Sequence, residues 1–565
     1  MSSFGLHPAD VIGTVGFNEF EGLSVCFINM PLRETAMPTV IPEGPLILGA
    51  ILRKYGVDVS LLDLNAYRIK DELSKSKGLP NGRHLTTKEA ENLITAHLNN
   101  KGDQDIVAIS GKITTLKWQE IIAQIVRRLQ PDCFLVSGGG LATEIKAGLF
   151  NWIPELDAIA RSEGDDVILA IAKDVKLIKE LGWSKAIKSG RLTSYYKGDV
   201  KGKPRFIYEG NRPRNLDSIP FAAVELLESD PYGNNVLEDY IVTPVWGLAA
   251  NNSSATPFNM KRSLTTLSSR GCPYDCAFCY RGSQGERNYG MRSAENLVSH
   301  MQHYIDKYNI DFIGFVDDNF AVDKKRIKTL PGVFDQLSVN LRWGTHTRMD
   351  EADERAHYMA EAGCIYIGFG AESAAEHTLV KMRKGGFILK NGLVNKNING
   401  STYEFPVTMV DAIKNCKSAG IHANCTWIMG YPGEALEHLK TSVAFILWQE
   451  DYMTKGLTSG TPEYEIAKMS VNQKMFTATA YPGTAMWKVV APGLKKHFEI
   501  AFDKYGDPIC DDNFHRYVLE LDDATKVLNN EDGDPVNFGD IRTDTFLRAR
   551  EYADNGQIEK ILELA

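Results

Sequence analysis

The stretch Ser268-Ser269-Arg270-Gly271-Cys272-Pro273-Tyr274-Asp275-Cys276-Ala277-Phe278-Cys279-Tyr280 decides how the rest of the chain is interpreted. Its cysteines stand at positions i, i+4 and i+7, and Gly271-Cys272-Pro273 predicts a turn after the alternating apolar residues at 264–268. Thiolates are the soft ligands that iron–sulfur clusters use. Three thiolates can hold three irons of a [4Fe–4S] cube, and the fourth iron is then open to chemistry.

Two other interpretations of this stretch are three unrelated loop cysteines and a structural zinc site. A structural zinc site uses four ligands and usually shows a second CxxC-like pair. The remaining cysteines are scattered singly, at Cys26, Cys133, Cys364, Cys416, Cys425 and Cys510. The cluster interpretation is therefore favoured.

The CxxxCxxC spacing, with the aromatic Phe278 just before the last cysteine, resembles the radical S-adenosylmethionine (SAM) superfamily. The resemblance implies that Cys272, Cys276 and Cys279 hold the cluster, and that its open iron chelates the methionine end of SAM. It also implies that the backbone near Phe278 contacts the adenine. SAM would be cleaved to methionine and a 5′-deoxyadenosyl radical by electron transfer, which requires an electron donor such as flavodoxin or ferredoxin.

The composition is that of an ordinary globular protein with two or three domains, since 43% of its 565 residues are hydrophobic and 24% are charged. A net charge of −9 argues against a general nucleic-acid binder, whose signature is a basic face. No apolar run reaches the roughly 18 residues that a membrane span needs, and the first twenty residues lack a signal-peptide pattern. We therefore expect a cytoplasmic protein in which the scattered cysteines are reduced.

Residues 22–181, after an N-terminal extension at 1–21, alternate short apolar runs with helical patterns. Thr86 and Glu89 form a capping box that predicts the start of one of the helices. Strand–helix alternation predicts a doubly wound, Rossmann-like α/β domain that binds its ligand at the carboxyl ends of the strands. The predicted strands are 23–29, 59–65, 106–110, 134–137 and 157–161.

No GxGxxG or GxxxxGK[ST] motif follows the first strand, which argues against NAD and ATP. Instead, the blocks at 44–53, 62–65, 109–110, 138–143 and 161–166 resemble the cobalamin-binding domains that are fused to radical SAM barrels. The resemblance implies that the cobalamin contacts come from Ser110, Gly138, Gly139, Gly140, Thr143, Glu163 and Gly164.

One motif of cobalamin proteins is missing. The DxHxxG sequence, whose histidine ligates cobalt in many of these enzymes, does not occur after Asn29. Many fused members of the family also lack it, so we expect cobalamin to bind without a protein histidine below the cobalt. The alternative is a degenerate domain that binds no cofactor.

Residues 182–262 are rich in Lys, Gly, Pro and Asn and are predicted to be a linker, with a loop at 251–260. Residues 263–488 continue the strand–helix pattern and predict a partial (βα)6 barrel, in which function lies at the carboxyl ends of the strands. Its predicted strands are 264–268, 312–316, 341–346, 365–370, 423–429 and 471–478.

Several polar residues follow these barrel strands. Asp317 and Asp318 could accept hydrogen bonds from the SAM ammonium group, or could instead cap a helix or lie in a solvated turn. Arg348 could meet a carboxylate or be an exposed residue at a strand end. Glu372-Ser373 resembles the GxES block of the family, which implies contact with the ribose or methionine part of SAM.

The sequence Gly430-Tyr431-Pro432-Gly433-Glu434 resembles the GxPGE turn of the family. The resemblance implies that the backbone of Gly430, Pro432 and Gly433 faces the adenine. The last residue of the turn, Glu434, is expected to cap the next helix.

Two stretches, 385–406 and 451–465, are longer than the usual connections of such a barrel. Loops of this length are usually lids or binding loops, or else are disordered, so we expect a substrate-related role for the first. The C-terminal extension, 489–565, is acidic and contains a predicted helix at 545–552. The sequence does not show what this extension touches.

The resemblance implies a cobalamin-dependent radical SAM enzyme that methylates an unactivated carbon. One SAM supplies the radical, methylcobalamin delivers the methyl group, and a second SAM remethylates the cobalt. The alternatives are a rearrangement, cyclisation or oxidation without methyl transfer, and a non-catalytic cobalamin or redox sensor. A methylthiotransferase is disfavoured, because its first domain would need three cysteines where only Cys26 and Cys133 stand. A small molecule, a lipid, a peptide or a protein side chain would each be a compatible substrate.

Overall fold

The computed structural model describes residues 15–31, 40–67, 85–194, 196–200, 203–242, 260–280, 289–471, 473, 475–522, 526–530 and 532–565. The loop expected at 251–260 lies outside these ranges except for its last residue. The chain forms two compact units. The first unit comprises residues 1–243, 281–291 and 501–523, and the second comprises residues 244–280, 292–500 and 524–565.

Strands occur in both units and are numbered here in chain order. They are β1 Ser24–Asn29, β2 Asp58–Asp63, β3 Ile106–Ser110, β4 Phe134–Gly138, β5 Ala158–Arg161, β6 Tyr196–Val200, β7 Lys203–Glu209, β8 Ser263–Thr266, β9 Ser269–Arg270, β10 Gly290–Met291, β11 Phe312–Phe315, β12 Arg342–Thr347, β13 Cys364–Glu372, β14 Leu393–Ile398, β15 Ser401–Pro406, β16 His422–Met429 and β17 Met475–Thr477.

The α-helices are given by their bounds. They are Glu43–Lys54, Thr87–Lys101, Leu116–Leu129, Gly140–Ile145, Leu149–Trp152, Asp165–Leu181, Trp183–Lys188, Val236–Val242, Ala294–Tyr308, Lys324–Phe334, Arg355–Glu361, Glu376–Lys381, Gly385–Ile388, Val407–Ser418, Leu436–Thr454, Pro462–Ser470, Ala485–Phe498, Asp512–Leu519 and Thr543–Asp554.

The first unit is built on a sheet with the strand order β2-β1-β3-β4-β5-β7-β6. The strands pair in parallel except for β6 and β7, which are antiparallel. The central strands are short apolar runs buried on both faces, as is usual when helices cover a parallel sheet. The five predicted strands and the Thr86–Glu89 capping box are confirmed.

The predicted linker contributes two strands, β6 and β7, that the sequence pattern does not predict. The strand β7 is polar at its ends, but Phe206 and Tyr208 are buried within it. The Tyr208 hydroxyl donates a hydrogen bond to Asp174, 2.8 Å away on the helix Asp165–Leu181. Long-range contacts of this kind fix a strand that local composition does not indicate.

The second unit is built on a parallel sheet whose order, β8-β11-β12-β13-β16-β17, follows the chain. Helices connect successive strands, so the sheet is a half-barrel and the predicted α/β class is confirmed. Phe315 and Trp343 of these strands and Phe320, which follows β11, pack against one another with ring centroids 5.1 to 5.4 Å apart. The carboxyl ends of the strands therefore meet along one edge of a packed core.

The prediction of a long loop at 385–406 is wrong. A short helix, Gly385–Ile388, is followed by an antiparallel hairpin of β14 and β15. The hairpin turns at Asn399-Gly400, where both residues have positive φ values of 52° and 83°, and an Asn-Gly pair favours this kind of turn. The second long connection, 451–465, is also mostly helical, because only residues 455–461 separate two helices.

The C-terminal residues of the second unit include the helix Thr543–Asp554, which confirms the helix predicted at 545–552. Its Arg550 is buried and donates hydrogen bonds to the Met475 carbonyl on β17 and to Asp554. The extension therefore packs on the last strands of the half-barrel. Among the described helices, none combines the length and the apolar character that a membrane crossing requires.

Candidate active site

The cysteine loop follows β8 and is held at its start by two aspartates that follow β11. Asp317 is buried and accepts hydrogen bonds from the Ser268 backbone N–H at 2.7 Å and from the Ser269 hydroxyl at 2.6 Å. The Ser268 hydroxyl also donates to Asp317. Asp318 is exposed and accepts a hydrogen bond from the Gly271 N–H at 2.9 Å. The two adjacent carboxylates thus fix where the loop leaves the sheet.

The middle of the loop is held by backbone hydrogen bonds. The Ala277 N–H donates to the Met382 carbonyl at 2.8 Å, and the Ala277 carbonyl accepts from the Met486 N–H at 2.7 Å. Met382 follows a helix behind β13, whereas Met486 is in the helix after β17. Residues that follow two different strands, β13 and β17, therefore hold the loop.

The three cysteines of the loop are free and half-buried. Burial raises the pKa of the Cys272 thiol, and it raises the pKa of the Cys279 thiol to about 12, with smaller contributions from the nearby Cys276, Asp318 and Cys272. Each pKa responds to the charge of neighbouring cysteines, so the thiols lie in one electrostatic environment. Coordination of a metal deprotonates such thiols.

Two nitrogen donors lie next to the sulfurs. Arg348 Nη1 is 3.6 Å from Cys276 Sγ, and Asn319 Nδ2 is 3.9 Å from Cys272 Sγ. N–H donors next to thiolate sulfurs are typical of iron–sulfur sites. The donor set of this loop therefore fits an iron–sulfur cluster.

Within the described residues, no group of three or more His, Cys, Asp or Glu side chains is placed to hold a metal ion. A structural zinc ion needs its ligands around one point. A cubane differs, since each thiolate binds a different iron and the sulfurs stand apart.

Arg348 meets a carboxylate, which was one of the two alternatives for this residue. It forms an ion pair with Asp350 at 2.8 Å, and its guanidinium carbon lies 3.9 Å from the centre of the Tyr274 ring. The Tyr274 hydroxyl donates to Glu351 at 2.8 Å, and Asn319 Nδ2 is 3.2 Å from the same carboxylate oxygen. The sequence analysis missed Asn319 and Glu351, although both stand just after barrel strands.

Glu372, at the end of β13, is paired with a lysine that the sequence analysis also missed. Lys384 Nζ is 3.6 Å from Glu372 Oε1, and Lys384 is only 5% exposed. Burial raises the pKa of Glu372, and the lysine opposes that shift. Lys384 also lies 6.0 Å from the centre of the Phe278 ring. Glu372, Lys384 and Phe278 are therefore neighbours beside the cysteine loop.

Glu372 also has an unusual backbone, because its φ is +66°. Non-glycine residues with positive φ are uncommon, and such strain is frequent at functional sites. By contrast, the Ser373 hydroxyl lies 3.1 Å from the Ser442 hydroxyl and is buried. Ser373 thus joins β13 to the helix Leu436–Thr454.

The turn after β16 contains Gly430 and Gly433, which have positive φ values of 75° and 84°. The Phe278 ring contacts Tyr431 of this turn edge-on, at a centroid distance of 6.4 Å. Pro432 completes the turn between Tyr431 and Gly433. The turn thus lies next to the aromatic residue of the cysteine loop.

Glu434 was expected to cap the next helix, and this prediction is wrong. It accepts a hydrogen bond from the Gly430 N–H at 2.7 Å and so closes its own turn. His438 Nδ1 instead accepts the Ala435 N–H at the start of the helix. Glu434 is fully buried, and burial raises its pKa to about 8.

The two aspartates after β11 differ in how well they suit the SAM contact predicted for them. Both oxygens of Asp317 accept hydrogen bonds within the fold, which makes this residue a poor candidate for an additional ammonium ligand. Asp318 is exposed, and accepting the Gly271 N–H uses only part of the accepting capacity of its carboxylate.

In the first unit, the turns after β3 and β4 touch backbone to backbone. Gly139 has a φ of 86°, and a Cβ there would lie 2.7 Å from the Gly111 carbonyl oxygen and 3.2 Å from the Ser110 hydroxyl. The Gly111 N–H donates to the Gly138 carbonyl at 3.2 Å. Only glycine fits at position 139, and Gly140 begins the following helix.

The other residues predicted to contact cobalamin lie at the same edge of this sheet. The Thr143 hydroxyl donates to the Gly139 carbonyl and accepts the Ser162 N–H at 3.0 Å, which ties the ends of β4 and β5. Glu163 is paired with Arg212 at 2.5 Å. A Cβ at Gly164 would lie 3.1 Å from the methyl groups of Leu48, so the fit there is tight. Several of these polar groups are thus engaged within the fold.

Parts of this chain are similar in sequence to known proteins. Residues 266–446 match the family described as the radical SAM superfamily. An uncharacterized methyltransferase of Pyrococcus horikoshii is 26% identical over 403 residues, which are 70% of this chain and 71% of that protein. An anaerobic magnesium-protoporphyrin IX monomethyl ester cyclase of Rubrivivax gelatinosus is 24% identical over 344 residues, or 60% of this chain and 53% of the cyclase.

The fold is also similar to that of a solved protein. This is the radical SAM methyltransferase TsrM of Kitasatospora setae, determined with cobalamin and a [4Fe–4S] cluster. The match has a TM-score of 0.55 at 15% identity and covers 84% of this chain and 75% of that one. It includes residues of both units, because 84% of the chain exceeds either unit alone.

Proposed function

We propose that this chain, whose residues 266–446 form a radical SAM domain, is a cobalamin-dependent enzyme that methylates an unactivated carbon of its substrate. The observation that carries the proposal is the CxxxCxxC loop after the first strand of a parallel half-barrel, with N–H donors beside two of its sulfurs. The fold similarity, which extends over a second parallel sheet, and the methyltransferase relative support it.

The cofactors would supply the reactive groups. When bound, the cluster and SAM supply a 5′-deoxyadenosyl radical that removes hydrogen from the substrate, and cobalamin supplies the methyl group. The chain binds and orients these groups and keeps water away from them. Cys272, Cys276 and Cys279 would hold the cluster.

The SAM contacts are proposed to come from three places next to the loop. The carboxylate of Glu372, held by Lys384, is positioned to accept hydrogen bonds from the ribose hydroxyls or the methionine ammonium. Asp318 can accept a hydrogen bond from the ammonium group. The backbone of Phe278 and of the turn Gly430-Tyr431-Pro432-Gly433 would face the adenine, and the glycines let the backbone approach closely.

Cobalamin is proposed to bind at the carboxyl edge of the first sheet. The glycine turn at Gly138, Gly139 and Gly140 adds no side chain of its own to that edge, and a parallel α/β sheet binds its ligands there. Ser110, Thr143, Glu163 and Gly164 surround the turn. No histidine occurs in residues 29–39, directly after the first strand, so no lower cobalt ligand is provided there.

A second candidate function is cyclisation or another radical oxidation without methyl transfer. The match to the magnesium-protoporphyrin ester cyclase favours it, although this chain spans about half the length of that relative. The cysteine loop and the Gly430 turn are compatible with both reactions.

The ratio of SAM products separates the candidates. The anaerobic, reduced holoenzyme is incubated with SAM and a small-molecule extract from cells that lack this gene. A methyltransferase converts one SAM to 5′-deoxyadenosine and another to S-adenosylhomocysteine, so the two products rise together when the substrate is present. A cyclase forms 5′-deoxyadenosine without matching S-adenosylhomocysteine, and a sensor forms neither.

A further inference from the structure

One segment of the second unit is strongly basic in an acidic chain. Between Glu376 and Glu404 there is no acidic residue, whereas the net charge of the whole chain is −9. The same segment carries five cations, at Lys381, Arg383, Lys384, Lys390 and Lys396. Lys384 is buried against Glu372, and Lys381, Arg383 and Lys390 are exposed.

The same segment exposes two large apolar side chains. Val380 is 58% exposed and Phe387 is 54% exposed. We call Val380, Lys381, Arg383, Phe387 and Lys390 the basic face. Exposed apolar side chains together with charged ones are the composition of a protein docking site, and charge on such a site steers the encounter.

The basic face is attached directly to the cysteine loop. Between Lys381 and Arg383, the Met382 carbonyl accepts the Ala277 N–H at 2.8 Å, and Arg383 Nη1 is 3.4 Å from Asp275. The Phe387 ring packs edge-on against the Tyr274 ring, at a centroid distance of 5.5 Å.

A series of side-chain contacts connects Phe387 to the sulfur of Cys276. Tyr274 lies under the Arg348 guanidinium at 3.9 Å, and Arg348 Nη1 is 3.6 Å from Cys276 Sγ. An exposed aromatic residue is thus joined to a proposed cluster ligand through two intervening side chains. A partner on the basic face would lie near the cluster.

We propose that the basic face is the docking site of an acidic one-electron donor protein of the flavodoxin type. This inference rests on the proposed function, because each reductive cleavage of SAM consumes one electron. At the docking site the donor is oxidised by one electron and the cluster is reduced by one, with no bond formed and no proton moved. Weak redox encounters bury little surface, so such a docking site needs few residues.

The test compares Lys390→Glu with Lys328→Glu. Both lysines are exposed, but Lys328 is on the helix Lys324–Phe334 and outside the basic face. Binding of oxidised flavodoxin to the holoenzyme is measured by biolayer interferometry at low and high salt. The rate of 5′-deoxyadenosine formation is measured with flavodoxin hydroquinone and, separately, with dithionite, which needs no protein docking.

We expect Lys390→Glu to weaken flavodoxin binding roughly fivefold at low salt and to lower the flavodoxin-driven rate by a similar factor. Its dithionite-driven rate should stay equal to that of the wild type, and Lys328→Glu should change neither measurement. Phe387→Ala should also weaken flavodoxin binding, with a smaller dependence on salt, because it removes apolar contact rather than charge.

Several results would overturn the docking proposal. These are an absence of flavodoxin binding to the wild type, equal binding by wild type and Lys390→Glu, or the same loss in Lys328→Glu. Equal loss of both rates with unchanged flavodoxin binding would identify the face as a substrate contact instead. If dithionite yields no 5′-deoxyadenosine, the proposed function fails, and the binding measurements still decide whether the face docks flavodoxin.

Discussion

Cys276 differs from the core cysteines in its neighbours. Arg348 lies 3.6 Å from its sulfur, whereas Cys416 is fully buried in the helix Val407–Ser418, where burial raises its thiol pKa to about 12. The Arg348 N–H beside Cys276 is a donor of the kind found next to the sulfurs of iron–sulfur clusters, whereas burial disfavours the thiolate form of Cys416. The two cysteines are therefore suited to different roles, ligand and core residue.

The first prediction compares these two residues. Anaerobically reconstituted wild type should bind about four irons and four sulfides. Cys276→Ala should lose stable cluster binding and form no 5′-deoxyadenosine, and Cys416→Ala should retain both properties. Iron and sulfide analysis with product quantification checks this. Normal SAM cleavage by Cys276→Ala would contradict the ligand assignment.

The second prediction concerns the buried Glu434, whose second oxygen has no hydrogen-bond partner in the part of the chain that the structure describes. Burial raises its pKa from 4.5 to about 8 in the folded protein. The folded state therefore holds a proton that the unfolded state releases between these pH values, so folding stability from this group falls as the pH rises through that window.

Thermal unfolding measured from about pH 5 to about pH 9, a range around the raised pKa of Glu434, tests this effect. Wild-type stability should fall with rising pH more steeply than that of Glu434→Gln, which cannot ionise. The Gln side chain keeps the oxygen that accepts the Gly430 N–H. Identical pH slopes for the two proteins would show that Glu434 does not titrate in this window.

The cysteines and Glu372 could be predicted as site residues from the sequence, but the residues that contact them could not. The cysteine spacing is local in sequence, so its residues could be recognised together. Lys384 is twelve residues from Glu372, and Asn319 is 47 residues from Cys272. Such residues come into contact only in the folded half-barrel. A single sequence does not indicate which distant residues will meet.

At the scale of elements, part of the C-terminal extension packs against the turn after β16. A Cβ at Gly430 would lie 2.7 Å from the Phe546 ring, and a Cβ at Gly539 would lie 3.2 Å from the Gly430 backbone. The Asp540 N–H donates to the Glu434 carbonyl at 2.9 Å. Residues 539–546 therefore limit how the proposed adenine-binding turn can move.

The third prediction follows from this contact. Gly539→Ala should displace the Gly430 turn and weaken SAM binding several-fold, because the added methyl meets backbone that cannot rotate away. Gly332→Ala is the matched control, since its Cβ would meet nothing within 4 Å. Equilibrium dialysis with labelled SAM measures the affinities. Unchanged affinity in Gly539→Ala would show that the extension does not support the turn.

The elements that the sequence predicted are those with strong local patterns. Buried apolar strands such as β3, and helices with a cap such as Thr87–Lys101, were predicted within a few residues. The hairpin of β14 and β15 was missed because its strands are polar and mostly solvent-facing. Its Asn399-Gly400 pair was the available signal.

At the scale of the whole molecule, the first unit is proposed to bind cobalamin without a histidine ligand. The fourth prediction is therefore that bound cobalamin is base-off and has no histidine nitrogen below the cobalt. Electron paramagnetic resonance of the Co(II) form should lack nitrogen superhyperfine splitting. Splitting by one nitrogen would contradict this, and an absence of cobalamin binding would favour a degenerate first unit.

The central claim is that the chain transfers a methyl group from SAM to carbon. The most direct test uses SAM with a deuterated methyl group, the anaerobic holoenzyme and a small-molecule extract from cells that lack this gene. We predict that mass spectrometry detects a product in which one CD3 group replaces hydrogen, and that Cys276→Ala forms none. If the holoenzyme consumes a compound and forms 5′-deoxyadenosine while no deuterium reaches the product, methylation is excluded and the cyclase-like alternative is favoured.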